Sequence, residues 1–300
     1  MPRPVNTGAD LGADVRPARS AEPVAPVDVD PLSTARDVDP LCTAVARLAV
    51  AGCESPRLDA ELLLAQALGT SRTALYLRAS RTLEPQARER FERLIARRAE
   101  REPIAYILGR KSFRRLELTV DRRVLIPRPE TELLVEVGLE LPLGARVADV
   151  GTGSGAVALA LADERSDLAL TAIDINPDAL AVARDNARRL GFDVAFVCGD
   201  LLVGGPYDAV LANLPYVNDG DELPPEIARY EPPEALYGGQ DGLDLVRRLV
   251  RLAGSVPMLA LEVGAGQAGA VDELLEAVGF HDCGRRRALA GHERVVVARR

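Results

Sequence analysis

The 300-residue chain has a formal net charge of −8, with 47% hydrophobic and 27% charged residues, an ordinary balance for a soluble globular protein holding one large domain and a smaller one. Its acidity argues against broad nucleic-acid binding, which needs Lys and Arg to neutralise phosphates; the Arg-rich stretch Arg88–Arg101 alternates with Glu, as a solvated helix face does. Apolar runs such as Val157–Ala162 are too short to span a bilayer, and the opening MPRPVNTGAD has no apolar signal stretch, so a cytoplasmic location without a membrane partner is expected.

Residues 1–39 are rich in Pro, Ala, Asp and Val without sustained periodicity, which predicts a disordered tail. Residues 40–110 read as a helical bundle. Leu41, Val45, Leu48 and Ala49 share one face, and Gly52 stops that helix. Ser55-Pro56 is a capped start for a second helix that ends near Gly69. A short third helix is expected over Thr73–Ala79 and a long charged one over Pro85–Arg101. Over residues 111–126 a linking hairpin is expected, with Phe113–Val120 paired to Val124–Ile126.

From residue 127 to 300 a first helix is followed by repeated strand–helix units. The strands fall at Arg146–Val150, Ala169–Asp174, Val194–Cys198, Ala209–Ala212 and Met258–Val263. Helices follow Gly155 and cover Pro177–Leu190, Gly242–Ala253 and Gln267–Val278. This alternation implies a doubly wound parallel α/β sheet. No helix separates Phe280–Gly284 from Glu293–Ala298, so an antiparallel hairpin closes it. Cys42, Cys53, Cys198 and Cys283 are scattered, and His281 and His292 do not join them in a zinc-like spacing, so no metal is expected.

The first of these strands runs into Gly151-Thr152-Gly153-Ser154-Gly155, a turn in which glycines let the backbone approach a ligand at a helix mouth. Dinucleotide-binding proteins use a similar turn, so this feature alone is ambiguous. Asp174 stands at the next strand tip, where a carboxylate can accept from both ribose hydroxyls of an adenosine. Asp200 and Leu201 stand at the third, placed to meet the adenine ring. Three strand tips in register point to an adenosyl cofactor across the carboxyl edge of the sheet.

At the fourth strand tip stands Asn213-Leu214-Pro215-Tyr216. A planar amide or amino nitrogen is a poor nucleophile because its lone pair is delocalised, so it must be held with the nitrogen facing the methyl donor. The Asn213 side-chain oxygen and the Leu214 carbonyl can accept from such an NH₂ group, and Tyr216 can pack against it. Positioning and electrostatics would carry the catalysis, with no base required before attack. The pattern resembles the amino-methyltransferase signature Asn/Asp-Pro-Pro-Tyr/Phe/Trp. That class includes DNA adenine, rRNA base and protein glutamine acceptors, and the motif does not choose among them.

Further segments narrow the choice. They are Asp59–Leu64, Glu102–Gly109, Val124–Glu132, Arg229–Pro232 leading to Gly239–Gly242, and Gly291–Val295. With these, residues 41–298 resemble the release factor glutamine methyltransferase family (PrmC/HemK). The resemblance implies a Rossmann-like class I methyltransferase sheet behind a small N-terminal helical domain. It implies S-adenosyl-L-methionine as cofactor, bound by Gly151–Gly155, Asp174, Asp200 and Leu201, with Asn213 beside it. It also implies that Asn213–Tyr216 bind the glutamine of the GGQ motif in class 1 peptide chain release factors. The expected protein is a monomer with no stable nucleic-acid partner. The alternative is an rRNA adenine N6-methyltransferase, against which stand the acidic balance and the helical domain placed before the catalytic one. Two departures matter: Leu214 replaces the usual first Pro, and Leu201 stands where some members carry an aromatic residue. Gly238-Gly239-Gln240 spells the target motif within a loop and is read as coincidence.

Overall fold

Pro40, Pro56 and Pro85 each open a helix, where a missing N–H costs nothing. The computed structural model describes residues 39–77 and 83–300. The expected tail lies outside them except for Asp39, whose carboxylate accepts from the Leu41 N–H at 3.0 Å and caps α1 (Pro40–Val50). Helix α2 (Pro56–Leu68) ends on left-handed Gly69. Ser71 caps α3 (Arg72–Tyr76), which starts and stops earlier than the expected Thr73–Ala79; Ala79 lies outside the described residues. Helix α4 (Pro85–Ala99) and a short α5 (Ile104–Leu108), which periodicity did not separate, complete the bundle. Leu48, Leu63, Phe91 and Ile95 fill its core.

Inside the bundle Arg98 meets Asp59 at 2.7 Å, with both side chains 7% exposed. The same guanidinium reaches Glu226 at 3.2 Å, and Arg101 reaches that carboxylate at 2.5 Å. Glu226 belongs to α9 (Pro225–Tyr230), an element the sequence reading did not foresee. Tyr230 adds a hydroxyl that donates to the Glu100 carbonyl at 2.9 Å, and the Arg122 guanidinium stacks on its ring. The chain beyond the fourth parallel strand is thus tied to the end of α4.

The linking hairpin differs from expectation. Strand β1 (Arg110–Phe113) pairs with β2 (Leu116–Thr119) across a tight turn at Arg114, whose φ is 48°. Val124–Ile126 forms no strand: the Val124 N–H closes a turn on the Asp121 carbonyl at 3.1 Å, and two further backbone atoms go to side chains. The Tyr106 hydroxyl donates to the Val124 carbonyl at 2.5 Å, and the Ile126 N–H donates to Glu231 at 3.1 Å. The apolar side chains of this segment, which made it look strand-like, pack on Ala179 and Val182 of α8 (Pro177–Leu190).

After a 3-10 turn at Pro129–Thr131 and α6 (Glu132–Leu139), seven strands form one sheet. They are β3 (Arg146–Val150), β4 (Ala169–Asp174), β5 (Ala195–Cys198), β6 (Ala209–Ala212), β7 (Met258–Glu262), β8 (Asp282–Arg287) and β9 (Glu293–Arg299). Their order is β5-β4-β3-β6-β7-β9-β8. The first five pair in parallel, while β9 runs antiparallel between β7 and β8. Alternate residues serve opposite faces. Val147, Leu211 and Ala260 enter one core with α6 and α7 (Ala156–Glu164); Ala148, Val210 and Leu261 enter the other with α10 (Asp244–Leu252) and α11 (Ala268–Glu276). Among the described residues no helix is long and apolar enough to cross a membrane.

Removing one partner of a buried ion pair strands the other charge. Asp59→Ala is therefore expected to lower stability by about 3 kcal/mol, read as a fall in the denaturant midpoint of the full chain. An unchanged midpoint would mean that Glu226 alone satisfies Arg98.

Candidate active site

Strand order puts the exits of β4, β3 and β6 side by side, and the loops leaving them enclose a cavity of about 290 Å³. Such a crevice, at the carboxyl ends of strands where connections diverge, is the usual ligand position in open α/β sheets. Gly151, Gly153, Asp174, Asp200 and Leu201 line it, as do Asn213, Leu214 and Pro215. Thr152, Ser154, Gly155 and Tyr216 do not.

Gly151 adopts φ 76°, and a Cβ there would stand 3.3 Å from the Asn213 carbonyl oxygen and from Leu214 Cδ2. Thr152 turns inward, its hydroxyl donating to Asp149 at 2.6 Å. Asp149 also accepts from the Ala158 N–H in the first turn of α7, and burial pushes its carboxyl up to about 6. Ser154 is buried, and its carbonyl accepts from Asn186 Nδ2 at 3.0 Å. Gly155 opens α7 with a left-handed φ of 84°, and a Cβ there would also press on Leu159 and Ala183. Thr152, Ser154 and Gly155 thus support the sheet edge, while Gly151 and Gly153 face the cavity.

Asp174 is held by two backbone donors, Gly153 N–H on Oδ2 and Asn176 N–H on Oδ1, each at 2.9 Å. Burial raises its carboxyl above the ordinary range, and these bonds oppose that shift. Asn176 itself caps α8 through the Asp178 N–H, so the turn is braced at both ends. Asp200 is half-exposed and pairs with Arg248 at 2.6 Å. Leu201 is buried with a left-handed φ of 62°, uncommon for a branched residue.

On the other side of Gly151, Asn213 Nδ2 donates to Thr131 Oγ1 at 3.1 Å, which directs the amide oxygen away from Thr131. Leu214 is 5% exposed and packs in the core beneath the cavity, where it touches the glycine turn. Tyr216 is turned instead toward Glu262, at the end of β7. Burial and that carboxyl push the Tyr216 phenol up to about 12. Burial likewise pushes Glu262 up to about 7, against opposing hydrogen bonds from Thr131 and Tyr216.

The loop is held from behind by residues that motif reading missed. Gln267 Nε2 donates to the Tyr216 carbonyl at 3.0 Å, and Val217 exchanges backbone bonds with Leu236 and Gly238. A side chain at Gly238 would run into the Pro215 carbonyl, and one at Gly242 into the Tyr216 carbonyl. Thr131 and Glu262 were in plain view as part of Val124–Glu132 and a strand end, but nothing in their spacing tied them to Asn213.

The likenesses to known proteins agree with this arrangement. Residues 41–109 match the family described as PrmC N-terminal domain, and residues 129–229 match Methyltransferase small domain. A release factor glutamine methyltransferase from Rhodospirillum rubrum is 43% identical over 266 residues, covering 85% of this chain and 82% of the relative. One from Deinococcus radiodurans is 42% identical, covering 87% of this chain and 98% of the relative. The chain belongs to the release factor glutamine methyltransferase family. It is a methyltransferase dependent on S-adenosyl-L-methionine, as its family is. Among solved structures, the hMettl16 catalytic domain in complex with MAT2A 3'UTR hairpin 6 aligns with a TM-score of 0.52 at 16% identity. It covers 69% of this chain and 81% of that one, and shares the fold.

Glu262 gives a test of the site's electrostatics. Its folded-state value of about 7 lies above the ordinary 4.5, so the folded chain holds that proton more tightly than the unfolded chain. The contribution to stability therefore falls as pH rises through this window. The melting temperature of Glu262→Gln, relative to the unsubstituted chain, is expected to rise between about pH 5 and pH 8. A pH-independent difference would show that the carboxyl titrates normally.

Proposed function

We propose that this chain methylates the side-chain amide nitrogen of the glutamine in the GGQ motif of class 1 peptide chain release factors, in the cytoplasm. The observation that carries this reading is the conjunction of two features: family membership spanning the helical bundle and the sheet, and an amide-accepting motif at the cavity beside the glycine turn. The rRNA adenine alternative shares the motif but has no support from these relatives.

The residues at the cavity suit S-adenosyl-L-methionine. The Asp174 carboxylate, braced by Gly153 and Asn176, would accept from the ribose hydroxyls. Gly151 leaves room for a close approach to the backbone, and Leu201 offers an apolar surface in place of an aromatic one. When bound, the cofactor supplies an electrophilic methyl group on a sulfonium sulfur.

The chain's own part is to hold the acceptor. Asn213 Oδ1 and the Leu214 carbonyl would take the two N–H bonds of the glutamine amide and so fix its nitrogen. Gly151 brings the Asn213 backbone against the cofactor turn, which sets the two halves of the site at one distance. Leu214 lacks the rigidity of Pro, and its buried side chain supplies anchoring through the core instead. The bundle, linked to the loop through Glu226 and Tyr230, would take part in recognising the release factor.

The full chain with methyl-labelled cofactor is expected to label a full-length release factor and leave rRNA unlabelled. Label in rRNA alone would overturn the assignment. Asn213→Ala is expected to lower kcat by about 100-fold or more while cofactor binding persists. Asp174→Ala is expected to weaken cofactor binding by about 10- to 100-fold, as loss of charge-assisted bonds should; calorimetric titration separates the two effects.

A further inference from the structure

Glu262 ends a strand that is otherwise Met-Leu-Ala-Leu and is buried along its whole length. It is 2% exposed, and its Oε2 atom has no hydrogen-bond partner among the described residues. A carboxylate in such a place is costly unless something uses it. Strands β6 and β7 pair in parallel with Ala212 beside Leu261, so the next residues along the two strands are Asn213 and Glu262. Between them stands Thr131, 4% exposed, from the turn before α6. The Thr131 Oγ1 accepts from Asn213, and the Thr131 and Tyr216 side chains stand against the Glu262 carboxyl, where both oppose the rise that burial imposes on it.

We propose that Glu262 and Thr131 are positioning residues that set which end of the Asn213 carboxamide faces the methyl acceptor. This inference rests on the reading of Asn213 given above. The oxygen and NH₂ ends of a carboxamide have nearly the same shape, so packing alone does not choose between them. Hydrogen-bond polarity does choose. The Glu262 carboxyl is ionised or carries its proton on the unpartnered Oε2, so the oxygen that Thr131 meets only accepts and Thr131 gives its one proton to Glu262. Thr131 then has only lone pairs left for Asn213, and the NH₂ end must turn toward it. The Asn213 oxygen is thereby committed to the other side, where an acceptor NH₂ needs it. An inverted amide would set the Asn213 oxygen against the Thr131 lone pairs, acceptor against acceptor, and leave buried groups unpaired. Tyr216 faces the same carboxyl with a phenol that can only give it a proton, so one group orders both side chains of the motif.

The full chain can be assayed with labelled cofactor and a full-length release factor, alongside cofactor titration and thermal melting. Thr131→Val keeps the shape and removes the hydroxyl; kcat is expected to fall about 10-fold or more, with cofactor affinity within about 2-fold. Thr131→Ser, which restores the hydroxyl, is expected to return kcat to within about 3-fold. Glu262→Gln, whose amide can donate as well as accept, is expected to lower kcat, and the double variant to be no slower than Thr131→Val alone. Retained kcat in Thr131→Val, or a Thr131→Ser variant as slow as Thr131→Val, would overturn the proposal. If Thr131→Val does not fold, an unimpaired kcat in Glu262→Gln would overturn it. Asn213→Ala in the same assay separates the two levels. Turnover in that variant removes the reading of Asn213 itself; its loss, with Thr131→Val unimpaired, removes only the relay.

Discussion

Everything at the cavity depends on the backbone of Gly151 lying against that of Asn213. Strand β3 is bordered by β4 on one side and β6 on the other, so its exit turn must serve both neighbours. Toward β4, the N–H groups of Gly151 and Thr152 both donate to the Ile173 carbonyl, at 2.9 and 3.0 Å. Toward β6, a Cβ at Gly151 would press on the Asn213 carbonyl and the Leu214 side chain at 3.3 Å each. A positive φ at Gly151 bends the chain away from the sheet at this point. One turn at a left-handed glycine thus stands between the strand tips that carry Asp174 and Asn213.

Around that contact, buried polar groups are used as orienting devices. Asp149 secures Thr152 and the first turn of α7, so the glycine turn cannot drift from its helix. Asn186 of α8 reaches the Ser154 carbonyl and also both the N–H and the carbonyl of Thr119 in β2, binding the hairpin to the sheet domain. Glu231, 3% exposed, receives the Ile126 N–H and the Arg128 guanidinium. Each of these groups would be a liability if unpaired; Asp149 is paired within its own turn, and Asn186 and Glu231 across segments distant in sequence. The same currency links the helical bundle to the acceptor loop, through Arg98 and Arg101 on Glu226.

The sheet was legible because its strands are short apolar runs punctuated by glycine, proline and capping residues. The boundaries read for β3, β4 and β6 coincide with those observed, since register in a doubly covered sheet leaves little freedom. The hairpin was misread at Val124–Ile126, where apolar residues in an extended run satisfy their backbone through Tyr106 and Glu231 instead of a neighbouring strand. Helix α9 escaped notice because six residues between prolines carry too little periodicity. What holds it is an ion cluster with α4, more than a hundred residues away in the chain.

By itself the sequence determined the kinds of groups available: glycines after the first strand, an acid at the second strand tip, an amide-accepting motif at the fourth. Local rules suffice there, because strand ends, turns and caps are decided by neighbouring residues. Only the tertiary structure decided which of those groups face the cavity. Thr152, Ser154 and Gly155 support the turn from behind, while Asn213 faces inward with its amide nitrogen tied to Thr131. It alone brought Thr131 and Glu262 to Asn213, because that meeting requires β7 beside β6 and the turn before α6 packed over both. Orientation of a side chain is set by its partners across the fold, and those partners are not neighbours in the chain.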